Sequence, residues 1–118
     1  MLMIVVTTPN IPGYRIVKII GPVYGLSIRT RGFWGKLIAS VESFLGGEIK
    51  SFIEECEKAR IQSIKVMVER AKKLGANAIV GVDFDTSDVL GTATIFTAYG
   101  TAVVAEKIPE PSKESTEA

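Results

Sequence analysis

The sequence contains no histidine and a single cysteine, Cys56. A disulfide within one chain is therefore excluded, and so are the zinc motifs that take Cys and His ligands from the same chain. The absence of histidine also removes the commonest general base, together with the Ser–His–Asp and Cys–His nucleophile systems. Most of the familiar single-chain catalytic and zinc-binding constellations are thus ruled out.

An excess of positive charge is also missing, because 14 Lys and Arg residues stand against 13 Asp and Glu residues. Nucleic-acid duplexes are normally bound by a basic face that neutralises several phosphates, so we expect no nucleic-acid partner. No apolar run approaches the ~20 residues of a membrane-spanning helix. The apolar first residues end at Thr7 without a basic leader or a cleavage pattern, which indicates a strand instead of a signal peptide. We therefore expect a cytoplasmic protein with no membrane span.

Length and composition indicate one globular domain. A chain of 118 residues buries about two-thirds of its unfolded surface on folding. Its apolar fraction of 47% and charged fraction of 23% are globular values. The apolar periodicity ends after Lys107, so we expect a single α+β domain over residues 1–107 and a disordered tail over residues 108–118.

The clearest local signal is a helix-to-strand joint over residues 72–81. Lysines in a last helical turn suit the negative end of the helix dipole, and Gly75 stands where a left-handed capping residue is favoured. The preceding residues 50–74 carry an apolar stripe at helical spacing, which predicts a helix about 37 Å long. The following residues 77–89 alternate with a period of two, which predicts a strand with Asp83 and Asp85 on one face.

The remaining periodicities predict an antiparallel sheet of about four strands in the chain order β-β-α-α-β-β. The predicted strands cover residues 2–8, 14–28, 77–89 and 92–106. A turn at Leu90-Gly91 joins the last two as a hairpin. Because proline cannot donate to a strand ladder, Gly21-Pro22 predicts a bend or bulge in the second strand.

A short, strongly apolar helix is predicted over residues 33–45. A membrane-surface helix would look similar, but its sparse polar face favours a core or subunit contact. The second strand also carries apolar residues on both faces, with Ile16 and Ile20 on one and Val17 and Ile19 on the other. One layer of helices cannot cover both faces of the sheet, so we expect another copy of the chain to close the uncovered face.

Asp83, Asp85 and Asp88 form the best candidate metal site. Asp83 and Asp85 lie about 7 Å apart along one strand face, so the three carboxylates could share a hard cation of the Mg²⁺ or Ca²⁺ type. A calcium loop is excluded, because its sixth position is Asp88 instead of glycine and its twelfth is Thr94 instead of glutamate. A solvent-exposed acidic strand end is the alternative interpretation.

Cys56 lies on the apolar stripe of the long helix, where most cysteines act as small hydrophobic residues. Cyclic symmetry could nevertheless bring several copies of Cys56 around one axis as a thiolate ring for a soft metal. Residues 30–37 do not form a phosphate-binding loop, since Thr30 occupies the first glycine position and Leu37 the Ser/Thr position.

Several motifs occur together along the chain. They are Gly21-Pro22-Val23-Tyr24-Gly25, Gly46-Gly47, Ala59-Arg60, Met67, and the run Leu-Gly-Ala-Asn-Ala-Ile-Val-Gly-Val-Asp-Phe-Asp at residues 74–85. In this order they resemble the YbjQ-like family of small bacterial and archaeal proteins, over about residues 3–106. The resemblance implies a dodecin-like β/α subunit, with an antiparallel sheet backed by one short and one long helix. It also implies assembly into a ring, with a homopentamer as the expected size.

The YbjQ-like family is often labelled heavy-metal-binding, but a chain with no histidine and one cysteine gives that label no local support. The resemblance brings no catalytic residues and no cofactor. Our leading hypothesis is a homo-oligomeric assembly or binding module of unknown ligand. The alternatives are a metal-binding protein that uses a Cys56 ring or the three aspartates, and, third, a small-molecule enzyme with Asp83 as base at a subunit boundary.

Overall fold

A computed structural model describes residues 2–30, 47–89 and 93–109 of the chain. The elements in these ranges are β1 (Ile4–Val5), β2 (Tyr14–Thr30), α1 (Gly47–Lys73), β3 (Ala78–Val89) and β4 (Ala93–Lys107). The strands form one sheet in the order β1-β3-β4-β2, and α1 packs against it. The predicted α+β class, the long helix and the antiparallel β3–β4 hairpin are confirmed.

The sheet is mixed, which corrects the expectation of an antiparallel sheet. β1 runs parallel to β3, with Ile4 opposite Ala78 and Val5 opposite Ile79. The other two pairings are antiparallel. A two-residue strand whose partner lies far along the chain leaves no local turn signal, so its direction could not be predicted. The predicted helix over residues 33–45, the turn at Leu90-Gly91 and the tail beyond residue 109 lie outside the described residues.

The joint between α1 and β3 is closed by backbone and side-chain hydrogen bonds. Gly75 has a φ of 88°, a left-handed conformation that suits glycine, as predicted. The Ala76 N–H donates to the Ala71 carbonyl at 3.1 Å, which satisfies a carbonyl of the last helical turn. The Asn77 amide then bonds both backbone groups of Ala105 at 2.8 Å, donating to the carbonyl and accepting from the N–H. The joint therefore ties the end of α1 to both β3 and β4.

Three register shifts interrupt the long strands, the first of them in β2 between Ile16 and Lys18. The register of β2 against β4 shifts between Ile19 and Gly21, where a bend or bulge was predicted. The register of β3 against β4 shifts between Val80 and Asp83, at Gly81, whose φ is 61°. The shift adds one residue to β3. Val80 and Asp83 therefore lie on the same face of the sheet, although Asp83 comes three residues after Val80.

α1 covers one face of the sheet through a close contact with β2 at Gly25. A Cβ on Gly25 would collide with the carbonyl oxygen of Ser63 and the backbone nitrogen of Met67. Ser63 and Met67 are both fully buried at this point. The backbones of α1 and β2 are therefore in direct contact, and only glycine at position 25 leaves room for this contact. The core on this face consists of Val23, Met67, Ala71, Ala76, Ile79, Val82, Ala98 and Ala102.

A second, smaller core lies on the opposite face of the sheet. Ile11, from the segment between β1 and β2, is buried against Ala78, Val80, Val103 and Ala105. This segment covers the part of the opposite face that adjoins β1. Among the described residues, nothing covers the remainder of that face.

We predict that Gly25→Ala lowers the free energy of unfolding by about 3 kcal/mol, because the new Cβ must displace the helix backbone instead of a flexible side chain. Urea denaturation at fixed protein concentration measures the change. The matched control is Ser27→Ala, on the same strand and the same face.

Ser27 donates to the Gln62 side-chain oxygen at 3.3 Å, and its loss should cost only about 1 kcal/mol. A Gly25→Ala variant as stable as the Ser27→Ala control would contradict the backbone contact.

Candidate functional site

The three predicted carboxylates lie on the exposed half of β3, but not on one face. Asp83 stands opposite Tyr99 and Asp85 opposite Thr97, so these two side chains share a face. Asp88 comes three residues after Asp85, and the pairing with β4 has no register shift between them. Because successive strand residues alternate between faces, Asp88 lies on the face opposite Asp83 and Asp85. The structure brings Asp83 and Asp85 together and separates Asp88 from them.

Local hydrogen bonds engage both members of the Asp83 and Asp85 pair. The Phe84 N–H donates to Asp83 Oδ1 at 2.7 Å. Ser87 Oγ donates to Asp85 Oδ2 at 3.4 Å. Within residues 2–30, 47–89 and 93–109, no group of three Asp, Glu or Cys side chains is placed to hold a metal ion. A cation at Asp83 and Asp85 stays a prediction that requires further ligands from elsewhere.

Cys56 is partly buried on α1. Burial raises the pKa of the Cys56 thiol, Glu55 adds to the rise, and the charges of Arg60 and Arg29 oppose it. A raised pKa keeps the thiol protonated near neutral pH, so Cys56 in one chain is not an activated thiolate. A ring of Cys56 side chains from several copies stays a prediction about the assembly.

Two arginines of α1 contact aromatic rings. Arg60 lies over the Phe84 ring at 5.3 Å, and Arg70 lies over the Tyr24 ring at 4.9 Å. Arg70 also donates to the Tyr24 carbonyl at 3.1 Å. These cation–π contacts fix the helix over the sheet. The sequence signal that could have found one of them is the position of Arg60 on an otherwise apolar stripe.

A cavity of about 400 Å³ lies beside the Arg70–Tyr24 contact. It is lined by Pro22, Val23, Tyr24, Arg70, Lys73 and Leu74. Both of its charged residues are cations in the last turn of α1, where they suit the negative end of the helix dipole. This placement explains the charges without a ligand.

Among the described residues, an exposed apolar surface lies on the part of the sheet that faces away from α1. We call it the open sheet face, and it consists of alternate residues of β2 and β4: Tyr24, Leu26, Ile28, Ile95, Thr97 and Tyr99. Ile28 is 52% exposed, and Tyr24 is 53% exposed although Arg70 contacts its ring. Asp83 and Asp85 lie on the same side and border this surface along β3. Within residues 2–30, 47–89 and 93–109, this aromatic and aliphatic surface with an acidic border is thus left open.

The exposed apolar surface extends along β2 beyond the bend. The prediction that Ile16 and Ile20 share a face is wrong, because the register shifts between them turn the strand: Ile16 packs against the core around Ile11 and Ile20 against the core under α1. Both are partly buried, whereas Val17 is exposed and Ile19 is 71% exposed. The described residues of one chain therefore do not bury both faces of β2, although the sequence predicted burial of both. No helix in those ranges is long and apolar enough to cross a membrane.

Comparison with known sequences identifies related chains over nearly the whole length. A YbjQ family model described as "Putative heavy-metal-binding" matches residues 3–106. A UPF0145 protein of Sulfurisphaera tokodaii is 45% identical, over 89% of this chain and 92% of the relative. A UPF0145 protein of Saccharolobus solfataricus is 51% identical, over 81% of this chain and 84% of the relative.

Comparison with solved structures finds a similar fold. The crystal structure of a protein of unknown function in the DUF74 family, from Pediococcus pentosaceus, aligns with a TM-score of 0.58. The alignment covers 88% of this chain and 98% of that chain at 18% sequence identity. At this identity the likeness concerns the fold alone.

We predict that alkylation of Cys56 in the folded protein shows its pH inflection above that of the same cysteine in the urea-unfolded chain. Burial disfavours the thiolate, so the folded thiol loses its proton at higher pH than the unfolded thiol, whose reference pKa is 9.0. Rates of iodoacetamide reaction across the alkaline range measure both inflections.

The inflection, unlike the absolute rate, does not depend on how easily the reagent reaches Cys56. A folded-state inflection at or below the unfolded one would contradict the burial effect and would indicate an activated thiolate.

Proposed function

Since the chain belongs to the YbjQ-like family of UPF0145 proteins, we propose that it functions as a homo-oligomeric assembly or binding module and not as an enzyme. The observation that carries this proposal is the open sheet face. Single exposed apolar residues are ordinary on protein surfaces, whereas a contiguous patch of large ones marks an interaction surface. Tyr24, Ile28 and Tyr99 form such a patch on adjacent strands.

A second copy of the chain is the occupant that fits this surface best. α1 lies on the other face of β2, and its backbone contact at Gly25 leaves it no freedom to cover both. Burial of the exposed apolar side chains by another copy would stabilise the assembly by roughly 25 cal/mol per Å² of apolar surface. The family resemblance supports a ring, and a homopentamer is the size we propose.

A metal-binding protein is the second candidate function, and it comes from the description of the matching family model. The described residues of one chain bring no three ligands together. Any metal site would therefore draw on several copies, as a Cys56 ring or as Asp83 and Asp85 with partner ligands. This second candidate function requires the same homo-oligomer, which would in addition bind a metal ion.

A catalytic role for Asp83 has the least support. Its carboxylate is exposed to solvent and accepts a hydrogen bond from the next residue of its own strand. A general base needs a substrate held within hydrogen-bond reach. An exposed carboxylate on a strand does not by itself hold a substrate there.

Native mass spectrometry of protein purified without added metal tests the proposal. We expect a closed oligomer, with a pentamer as the main species, and no uptake of Zn²⁺, Cu⁺ or Ca²⁺ on titration. A monomer at micromolar concentration would overturn the proposal. Stoichiometric uptake that is lost in Cys56→Ala or in Asp83→Ala would instead establish the metal-binding alternative.

Two variants, compared by native mass spectrometry, test whether the open sheet face is the contact surface between copies. Ile28→Glu places a charge on the open sheet face and should shift the population toward monomer, because a buried unpaired carboxylate is costly. Ile108→Glu is the control, since Ile108 is also about half exposed but lies outside that face. Equal dissociation by both substitutions would show that the open sheet face is not the contact.

A further inference from the structure

The cavity beside the Arg70–Tyr24 contact lies between the end of α1 and β2, the outermost strand of the sheet. Its volume of about 400 Å³ is within the range of small-molecule binding sites. Pro22, Tyr24 and Leu74 line it and are all exposed, Leu74 to 56%. Exposed apolar and aromatic side chains around a hollow of this size can bury the apolar body of a small ligand.

The charge of the cavity is positive, because its described lining contains Arg70 and Lys73 and no acidic residue. The dipole of α1 explains why cations occur at this end of the helix, and it acts on Lys72 and Lys73 alike. The two lysines differ in their partners. Glu69 pairs with Lys72 at 3.6 Å, whereas no carboxylate among the described residues pairs with Lys73 or Arg70. The two cations of the cavity are therefore not neutralised within the described part of the chain.

Contacts with Tyr24 hold the Arg70 guanidinium in place. The guanidinium donates to the Tyr24 carbonyl at 3.1 Å and lies 4.9 Å from the centre of the Tyr24 ring. A guanidinium carries several N–H donors, and the others have no hydrogen-bond partner among the described residues. A planar cation that is fixed before a ligand arrives binds carboxylate or phosphate oxygens with little further loss of conformational entropy.

We propose that this cavity binds a small amphipathic anion. Its carboxylate or phosphate group pairs with Arg70 and Lys73, and its apolar body packs against the exposed apolar side chains of the same hollow. The inference goes beyond the proposed assembly, because one chain supplies every described residue of the cavity. It assigns a class of ligand to the binding module.

Equilibrium dialysis with three naphthalene probes tests this assignment. Naphthoate carries a carboxylate, naphthyl phosphate carries a phosphate, and naphthalenemethanol carries no charge. We expect at least one of the two anions to bind at least about tenfold more tightly than the neutral probe, because hydrogen bonds to charged groups are the stronger ones. The comparison between the two anions distinguishes a carboxylate ligand from a phosphate ligand.

Substitutions of Lys73 locate the site. Lys73→Gln should weaken binding of the anion by about threefold, and Lys73→Glu should weaken it further because it places a negative charge beside the ligand. Binding of the neutral probe should not change. The matched controls are Lys65→Gln and Lys65→Glu, which make the same changes of charge at an exposed position of α1 outside the described lining of the cavity.

Native mass spectrometry of the same samples separates this site from the assembly. Equal binding of the charged and neutral probes, or equal weakening by the Lys73 and Lys65 substitutions, would overturn the site. An oligomeric protein that binds neither anion would overturn the site and leave the proposed assembly intact. A monomer whose anion binding depends on Lys73 would support the site and overturn the assembly.

Discussion

The contact between α1 and Gly25 determines which surfaces of this protein remain available to a partner. Because the backbone of α1 touches the backbone of β2 there, the helix is held on one face of the sheet with no room to slide across it. The cation–π contacts of Arg60 and Arg70 lie on either side of this point along the helix. In the part of the chain that the structure describes, the opposite face is covered only by Ile11 and its neighbours, at the end near β1. The exposed apolar surface is thus a consequence of where the helix is fixed.

The same arrangement changes the interpretation of the acidic residues. As a group of three carboxylates they suggest a cation site, but the structure places Asp88 on the opposite face from Asp83 and Asp85. The three side chains share a strand but not a face, so a cation site within one chain could draw on Asp83 and Asp85 alone among them. These two carboxylates border the open sheet face along β3.

Local signals in the sequence predicted most of the fold. The Gly75 cap, the period-two strand after it, the long helix and the interruption at Gly21-Pro22 each depend on neighbouring residues and agree with the structure. The parallel direction of β1 and the contact at Gly25 depend on segments that are distant along the chain, and no periodicity encodes them. The shared face of Asp83 and Asp85 followed from the period of two. The separation of Asp88 could have been found by the same rule, because it lies an odd number of residues from both.

The central claim is that another copy of the chain covers the open sheet face. Thiol labelling of the assembled protein tests it most directly, with Ile28→Cys in a Cys56→Ala background and Glu57→Cys, on the exposed outer side of α1, as the reference. Side chains that a partner buries are shielded from reagents in solution. We expect Ile28→Cys to react with a maleimide much more slowly than Glu57→Cys, and equally fast labelling of the two would contradict the claim.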